Sequence, residues 1–286
     1  MELNILNQFS LMYCCFGDFM QVNWNRFLDI VGDDPQFLWI VGTNVLTLIT
    51  YWLYAVTFTL MDLTNKPRFL RKYKIQPGQN EPVGRKKLAN AIKMVLLNQI
   101  VVSLIATSAF YRFTNRDSLR VLPTFRILFT DLAIAILLEE IMFYYMHRLL
   151  HHRRIYKYVH KKHHEWTAPI AAMTFYCHPV EHVMGNLLPI AVSIGVSRAH
   201  ITTAWIFIII AILNSMTDHC GYSFPFSASS VRFHDYHHLK FNNNFGVFGW
   251  LDKLHGTFVE TANIADKRVK DREQEQIANK LSNSAN

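Results

Sequence analysis

Long stretches without charge constrain the fold of this chain more than any other feature. Residues 37–61 contain no charged side chain, and about 20 apolar residues in a helix cross the hydrocarbon core of a bilayer. Residues 94–111 form a second uncharged run, near the lower length limit for a span. Backbone inside a bilayer must satisfy its hydrogen bonds within its own segment. The two runs therefore predict transmembrane helices.

Three further apolar runs extend this pattern. Residues 127–146 form the third run, and residues 183–196 and 203–216 form a shorter pair. The pair is either a tight hairpin that crosses the membrane twice or a re-entrant segment, and both interpretations return the chain to the same side. The predicted fold class is all-α, an integral membrane helical bundle with a histidine-rich cap. Three acids interrupt the third run: Asp131, Glu139 and Glu140.

Charge distribution predicts the orientation of the bundle. The net charge is +8, and basic residues beside apolar runs favour anionic lipid headgroups over nucleic acid as the partner. Residues 62–93 are rich in lysine and arginine, whereas the charged side chains of the first 36 residues are mostly acids. By the positive-inside rule the basic loop is cytosolic and the N-terminal segment luminal. The third run then returns to the cytosol at His147, which makes residues 148–182 and 218–286 cytosolic.

Histidines carry the chemistry, and their spacing matters more than their number. Ten of the 14 histidines fall in four boxes whose members are three or four residues apart, so on a helix the rings of one box share a face. Imidazole suits iron, zinc, copper and nickel. Ten such rings exceed the coordination sphere of one ion, so two ions are expected. The candidate ligands are His147, His151, His160, His163, His164, His178, His182, His234, His237 and His238.

Other metal-binding classes fit these residues less well. The four cysteines show no CxxC spacing, which disfavours a zinc ribbon or a thioredoxin-like site. The pair His164-Glu165 begins like the zinc-protease helix motif, but Ala168 stands where the second histidine belongs. A metal transporter would carry its histidines within the spans, whereas these boxes lie beyond them.

The boxes resemble those of the fatty acid hydroxylase and sterol desaturase superfamily. Its pattern of His-x-x-x-His, His-x-x-His-His and His-x-x-His-His matches the first, second and fourth boxes, at residues 147–151, 160–164 and 234–238. Residues 176–182, Tyr-Cys-His-Pro-Val-Glu-His, look like the motif that follows the second box. Residues 218–222, Asp-His-Cys-Gly-Tyr, resemble a stretch of methylsterol oxidases, so His219 is a possible further ligand. The stretch Asn80-Glu81-Pro82-Val83 also resembles a branch close to these oxidases.

This resemblance implies a chemistry and a location. It implies two iron ions that activate O2, with cytochrome b5 or another NAD(P)H-linked chain as the electron donor, in the endoplasmic reticulum membrane. Hydroxylation, desaturation and oxidation to an aldehyde share this site chemistry. A methylated sterol is the favoured substrate, and a fatty acyl or sphingolipid chain is the alternative. A binding protein that kept the metal site without turnover is the non-enzymatic alternative.

Acids near the boxes are candidates for orienting the imidazoles through their second nitrogen. Glu140 precedes His147 by seven residues and shares its helical face, while Glu181 and Asp235 lie inside boxes. The sequence thus divides into a membrane region at 1–124 with two spans and a basic loop, a two-metal domain at 125–260, and a polar tail at 261–286.

Overall fold

A computed structural model describes residues 5–80, 82–116, 119–225 and 230–261, with side chains from residue 15 onward except that of Ser230. The predicted polar tail beyond Thr261 lies outside these residues, and so does Glu81. The helices, in chain order, are α1 (Ile5–Val31), α2 (Pro35–Thr64), α3 (Arg85–Phe113), α4 (Phe125–Leu150), α5 (Pro179–Ser197), α6 (Ile201–Asp218), α7 (Ser230–Lys240) and α8 (Trp250–Leu254).

The predicted all-α class is confirmed. Within the described residues no β-strand occurs, and extended pairing is limited to an isolated bridge between Lys74 and Tyr222. Four helices are long and apolar enough to span a membrane: α2, α3, α5 and α6. The two shorter apolar runs are thus separate helices, joined by a turn at Arg198, which adopts the left-handed conformation at the end of α5.

The third apolar run lies in α4, a helix of 26 residues. Its three acids keep it outside the four helices that qualify as spans by length and composition. It nevertheless packs against α5 and α6. Thr124 caps the start of α4, since its side-chain oxygen accepts the Ile127 N–H, and the helix continues to Leu150. It therefore carries the first histidine box out of the apolar bundle.

Buried polar side chains of α2 and α3 donate hydrogen bonds to the segment between the second and third histidine boxes. Asn98 is fully buried in a π-helical turn of α3, and its amide donates to the carbonyls of Phe175 and Cys177 at 3.0 Å each. The Tyr51 hydroxyl of α2 donates to the Ala172 carbonyl at 3.0 Å. π-Helical turns like the one that contains Asn98 often occur at functional sites, because they turn side chains away from the regular helix face.

The basic loop after α2 is joined to the bundle by a buried ion pair. Lys74 Nζ contacts the Asp62 carboxylate, and both side chains are almost fully buried. The Tyr222 hydroxyl also donates to Asp62, at 3.1 Å. Because Tyr222 lies three residues after His219, this pair ties the end of α2 to the segment that bears that histidine.

Candidate metal centre

Nine histidines converge into two neighbouring groups. Within each group one ring nitrogen per residue lies within 4.8 Å of the others. Eight of these histidines belong to the first, second and fourth sequence boxes, and the ninth is His219. Group one consists of His147, His151, His160, His164 and His237, and group two consists of His163, His219, His234 and His238.

Four elements supply these rings. The end of α4 gives His147 and His151, a 3-10 turn at His160–Glu165 gives the second box, and the residue that caps α6 is His219. Helix α7 stands between the groups and contributes to both. His234 and His238 are one turn apart on one face and enter group two, whereas His237 enters group one.

Backbone carbonyls fix the orientation of several rings. The Nδ1 atoms of His147 and His237 lie 2.7 Å from the carbonyl oxygens of Phe245 and Asn243. In group two, His219 Nδ1 lies 2.7 Å from the Ser215 oxygen and His163 Nδ1 lies 3.3 Å from that of Tyr176. A carbonyl can only accept, so each of these Nδ1 atoms carries a proton and donates it.

This arrangement fits a cation, as the contact between His163 and His219 shows. Their Nε2 atoms are 3.1 Å apart. Because both Nδ1 atoms carry protons, both Nε2 atoms of the neutral rings are bare lone pairs, and charging both rings would place two N–H groups face to face. Neither state gives a hydrogen bond, and burial opposes the singly protonated pair that would give one. A metal ion that accepts both lone pairs removes the conflict, so the donor set of group two fits a metal.

Burial keeps the rings in the form that binds metal. Burial lowers the pKa of His219 from 6.5 to about 4 and that of His151 to about 2. It also lowers the pKa of His163 and His238 well below 6.5, and neighbouring histidines add to that effect. Metal ligation requires neutral imidazole. The site is therefore set for ligation at neutral pH.

The three acids predicted to orient ligands have different contacts. Glu181 Oε1 lies 2.8 Å from His160 Nδ1, so this acid does meet a ring of group one. Both carboxylate oxygens of Asp235 accept hydrogen bonds of 3.1 Å from the Gln76 amide. Helix α7 turns this carboxylate toward the basic loop. Glu140 faces a backbone segment. Asp235 and Glu140 thus bind Gln76 and this backbone segment, respectively.

The backbone segment that Glu140 contacts is residues 245–248, here called the clamp loop. Glu140 receives the N–H of Val247 at 2.9 Å and that of Phe248 at 3.3 Å. Asp252, which sequence reasoning missed as a site residue, receives those of Phe245 and Gly246 at 2.8 Å each. Two fully buried acids thus hold four successive N–H groups. They position the Phe245 carbonyl and, through it, His147.

The third sequence box joins neither group. His178 stands at the start of α5, where its Nδ1 accepts the Val180 N–H at 3.2 Å. His182 Nε2 lies 3.0 Å from the Ser103 hydroxyl. Its Nδ1 lies 3.2 Å from the Asn186 amide. Both rings thus lie at the start of a membrane helix, and a role for them as ligands stays a prediction.

A cavity of about 270 Å³ extends from group two into the bundle. His219 and His234 line its inner end, together with Gly246 and Val247 of the clamp loop. Its walls are mainly apolar side chains from α2 to α6. Glu139 also faces this cavity, and sequence reasoning passed over it. An acid within an apolar helix was the available signal. The apolar wall residues include Phe110, Ile136, Phe143, Phe175, Ile190 and Phe207.

A second, open pocket reaches group one from outside the bundle. It is lined by Tyr145, Arg148, His151, His152 and Asn242, with Leu149, Phe245 and Thr257. His151 is half-buried, and the other four rings of group one are buried. The two groups therefore have separate openings, one polar and one apolar.

Comparison with known proteins agrees with this geometry. The family model described as fatty acid hydroxylase matches residues 132–257. The chain is 43% identical to human fatty acid hydroxylase domain-containing protein 2, over 84% of the chain and 73% of that protein. It is 30% identical to methylsterol monooxygenase 1 of Danio rerio, over 82% of each chain. It is 38% identical to fatty acid hydroxylase ahd1 of Mycosarcoma maydis, over 76% of the chain and 57% of that protein. No solved structure matches the chain.

Proposed function

The chain belongs to the fatty acid hydroxylase family, and from that membership we propose that it is a membrane-bound di-iron oxygenase that hydroxylates or oxidises a lipid C–H bond. The observation that carries the proposal is a pair of buried imidazole groups, one of which opens into an apolar cavity between membrane helices. The residues 125–260 form the two-metal domain of this proposal.

Two iron ions fit the donor set. Group one offers five ring nitrogens and group two offers four, all without thiolate or carboxylate in either group. Imidazole suits iron, and breaking an unactivated C–H bond with O2 needs a redox metal, which zinc is not. Bound iron supplies the electron transfer to O2. The histidines hold the ions, Glu181 orients His160, and the clamp loop orients His147.

The cavity supports a lipid substrate. It lies among helices that qualify as membrane spans, so a lipid can enter sideways from the bilayer without crossing water. Each methylene that stays buried keeps about 0.8 kcal/mol of favourable transfer free energy. A sterol with a methyl group at carbon four is the substrate we favour, because the relatives include methylsterol monooxygenases. A fatty acyl chain is the second candidate, because a similar relative is named a fatty acid hydroxylase.

An acidic electron donor such as cytochrome b5 suits the surface near group one. The segment between the first and second boxes exposes Arg153, Arg154 and Lys157, and the second box itself exposes Lys161. A basic patch steers an acidic protein toward it. The open pocket at His151 lies beside this segment. On the proposed topology both face the cytosol from the endoplasmic reticulum membrane, and a glycosylated C-terminal tag would contradict that arrangement.

Product analysis tests the proposed function. Microsomes that contain the protein are supplied with methylated sterols and with fatty acyl lipids, and mass spectrometry identifies oxygenated products. We expect product from wild type and from His178→Asn, which keeps a helix-capping oxygen outside both groups, and none from His163→Ala. Metal analysis should give about two iron ions per chain. Two bound ions without any product would favour the non-enzymatic alternative.

A further inference from the structure

We propose that Glu139 recognises the substrate, and that it does so by binding the hydroxyl of a neutral lipid alcohol in the cavity that His219 and His234 line. This inference rests on the proposed function, since it takes the cavity as the substrate site. It adds a recognition residue and a chemical class of substrate to that function.

Neighbouring acids on α4 face different parts of the molecule. Glu140 is fully buried and binds the clamp loop, whereas Glu139 lines the cavity. Consecutive residues of a helix point about 100° apart, and these two side chains have different surroundings. Glu139 lines the same cavity as His219 and His234 of group two.

Polar groups of α6 line the same cavity as Glu139. Asn214, Ser215 and Asp218 line it from α6, directly before His219. The carboxylates of Glu139 and Asp218 are close enough to interact electrostatically. The Asn214 amide donates to Asp218 at 3.4 Å. Within the described residues, Glu139 receives no hydrogen bond from the protein.

A carboxyl group in apolar surroundings gains strongly from a hydrogen-bond donor, because its own solvation is lost there. A lipid hydroxyl supplies that donor. A hydrocarbon segment leaves the carboxyl group of Glu139 unsatisfied, and a lipid carboxylate would place a third acidic group beside Glu139 and Asp218. Glu139 thus selects a neutral alcohol. Since the acid lines the same cavity as His219 and His234, one bound lipid can contact both Glu139 and the metal centre.

Equilibrium binding tests this selection without depending on turnover. The iron-loaded protein is placed in nanodiscs and titrated with two matched pairs of radiolabelled probes: cholesterol with its 3-deoxy analogue, and octadecanol with octadecane. Stearate serves as the anionic probe. We expect one alcohol at least to bind about tenfold more tightly than its partner without hydroxyl, and stearate to bind more weakly than octadecanol.

Three variants separate recognition from damage to the fold. Glu139→Leu should remove the preference for the alcohol, and Glu139→Gln should keep part of it through the amide. Asp131→Asn, an acid of the same helix outside the cavity lining, should leave it unchanged. Iron content near two ions per chain shows that each variant is folded. An alcohol preference that survives Glu139→Leu overturns the inference, as does equal binding of alcohols and their partners by wild type.

The same data keep this inference apart from the proposed function. If the alcohol preference depends on Glu139 and no lipid is oxidised, the recognition site stands and the oxygenase proposal fails. If lipids are oxidised and the preference is absent, the oxygenase stands and the assignment of Glu139 fails.

Discussion

Group one and group two are built from the same side chain, yet they face opposite surroundings. Group one meets an open polar pocket at His151, and the acid Glu181 contacts one of its rings. All four rings of group two are buried, and two of them line the apolar cavity. Under the proposed function this difference divides the access, so that water-borne partners would reach group one and lipid would reach group two. Helix α7 joins the two environments within about one turn.

Acid should cause the largest change, because it acts on both groups at once. The pKa values of the buried rings are lowered, so the folded, metal-free protein binds fewer protons than the unfolded chain. Stability is therefore fully present above the unfolded value of about 6.5 and is lost as pH falls from there toward 4 and below. Thermal melting of the metal-free protein between pH 8 and pH 5 measures this. A melting temperature that does not fall below pH 6.5 would contradict it.

Removal of His219 tests whether group two is a site of its own. His219→Ala leaves group two with three ligands, and we expect the iron content to fall from about two ions to about one, with loss of product formation. The matched variant His182→Gln, outside both groups, should retain about two ions. Elemental analysis of purified protein distinguishes the outcomes. Two ions in His219→Ala would show that this histidine is not a ligand.

The buried ion pair between Lys74 and Asp62 should matter for stability. Lys74→Met leaves the Asp62 carboxylate buried without its cation, which typically costs about 3–5 kcal/mol. Because Tyr222 binds the same carboxylate, the segment that bears His219 should loosen as well. Chemical denaturation gives the free energy of unfolding, and Lys72→Met, an exposed lysine of the same loop, is the control. Equal stability of the two variants would separate this pair from the support of group two.

The smallest effect is expected from the acid that supports group one. Glu181→Gln keeps the size of the side chain and replaces the carboxyl group that contacts the second nitrogen of His160. Loss of such partners lowers metal affinity about 10–100-fold. Competition with a chelator measures the affinity, and Glu165→Gln, an exposed acid next to His164, is the control. An unchanged affinity would mean that group one needs no carboxylate.

The sequence predicts the helical spans and eight of the nine converging histidines, because both depend on local patterns. An uncharged run long enough for a bilayer has few alternatives to a helix. The box spacings place rings on shared faces wherever the chain folds. His219 stands alone in the sequence, apart from any box, so only its resemblance to a family stretch indicated it. Its position depends on the end of α6 meeting α7.

Spacing does not give direction, and this explains why some predicted site residues make other contacts than expected. His178 and His182 have the same four-residue interval as His147 and His151, but they start a helix instead of ending one. Glu140 shares a helical face with His147, yet its carboxylate turns to the clamp loop. Asp252 lies far from every box, and its role depends on a turn that only the folded chain forms.

The clamp loop has a consequence for how this part of the chain can change in length. Every N–H from Phe245 to Phe248 is assigned to one of two acids, and a Cβ at Gly246 would lie 2.8 Å from Glu140 Oε1. An insertion or deletion of one residue would shift each N–H to the wrong acid and move the Phe245 carbonyl away from His147. We therefore expect this segment to keep a fixed length, even where neighbouring surface loops tolerate additions.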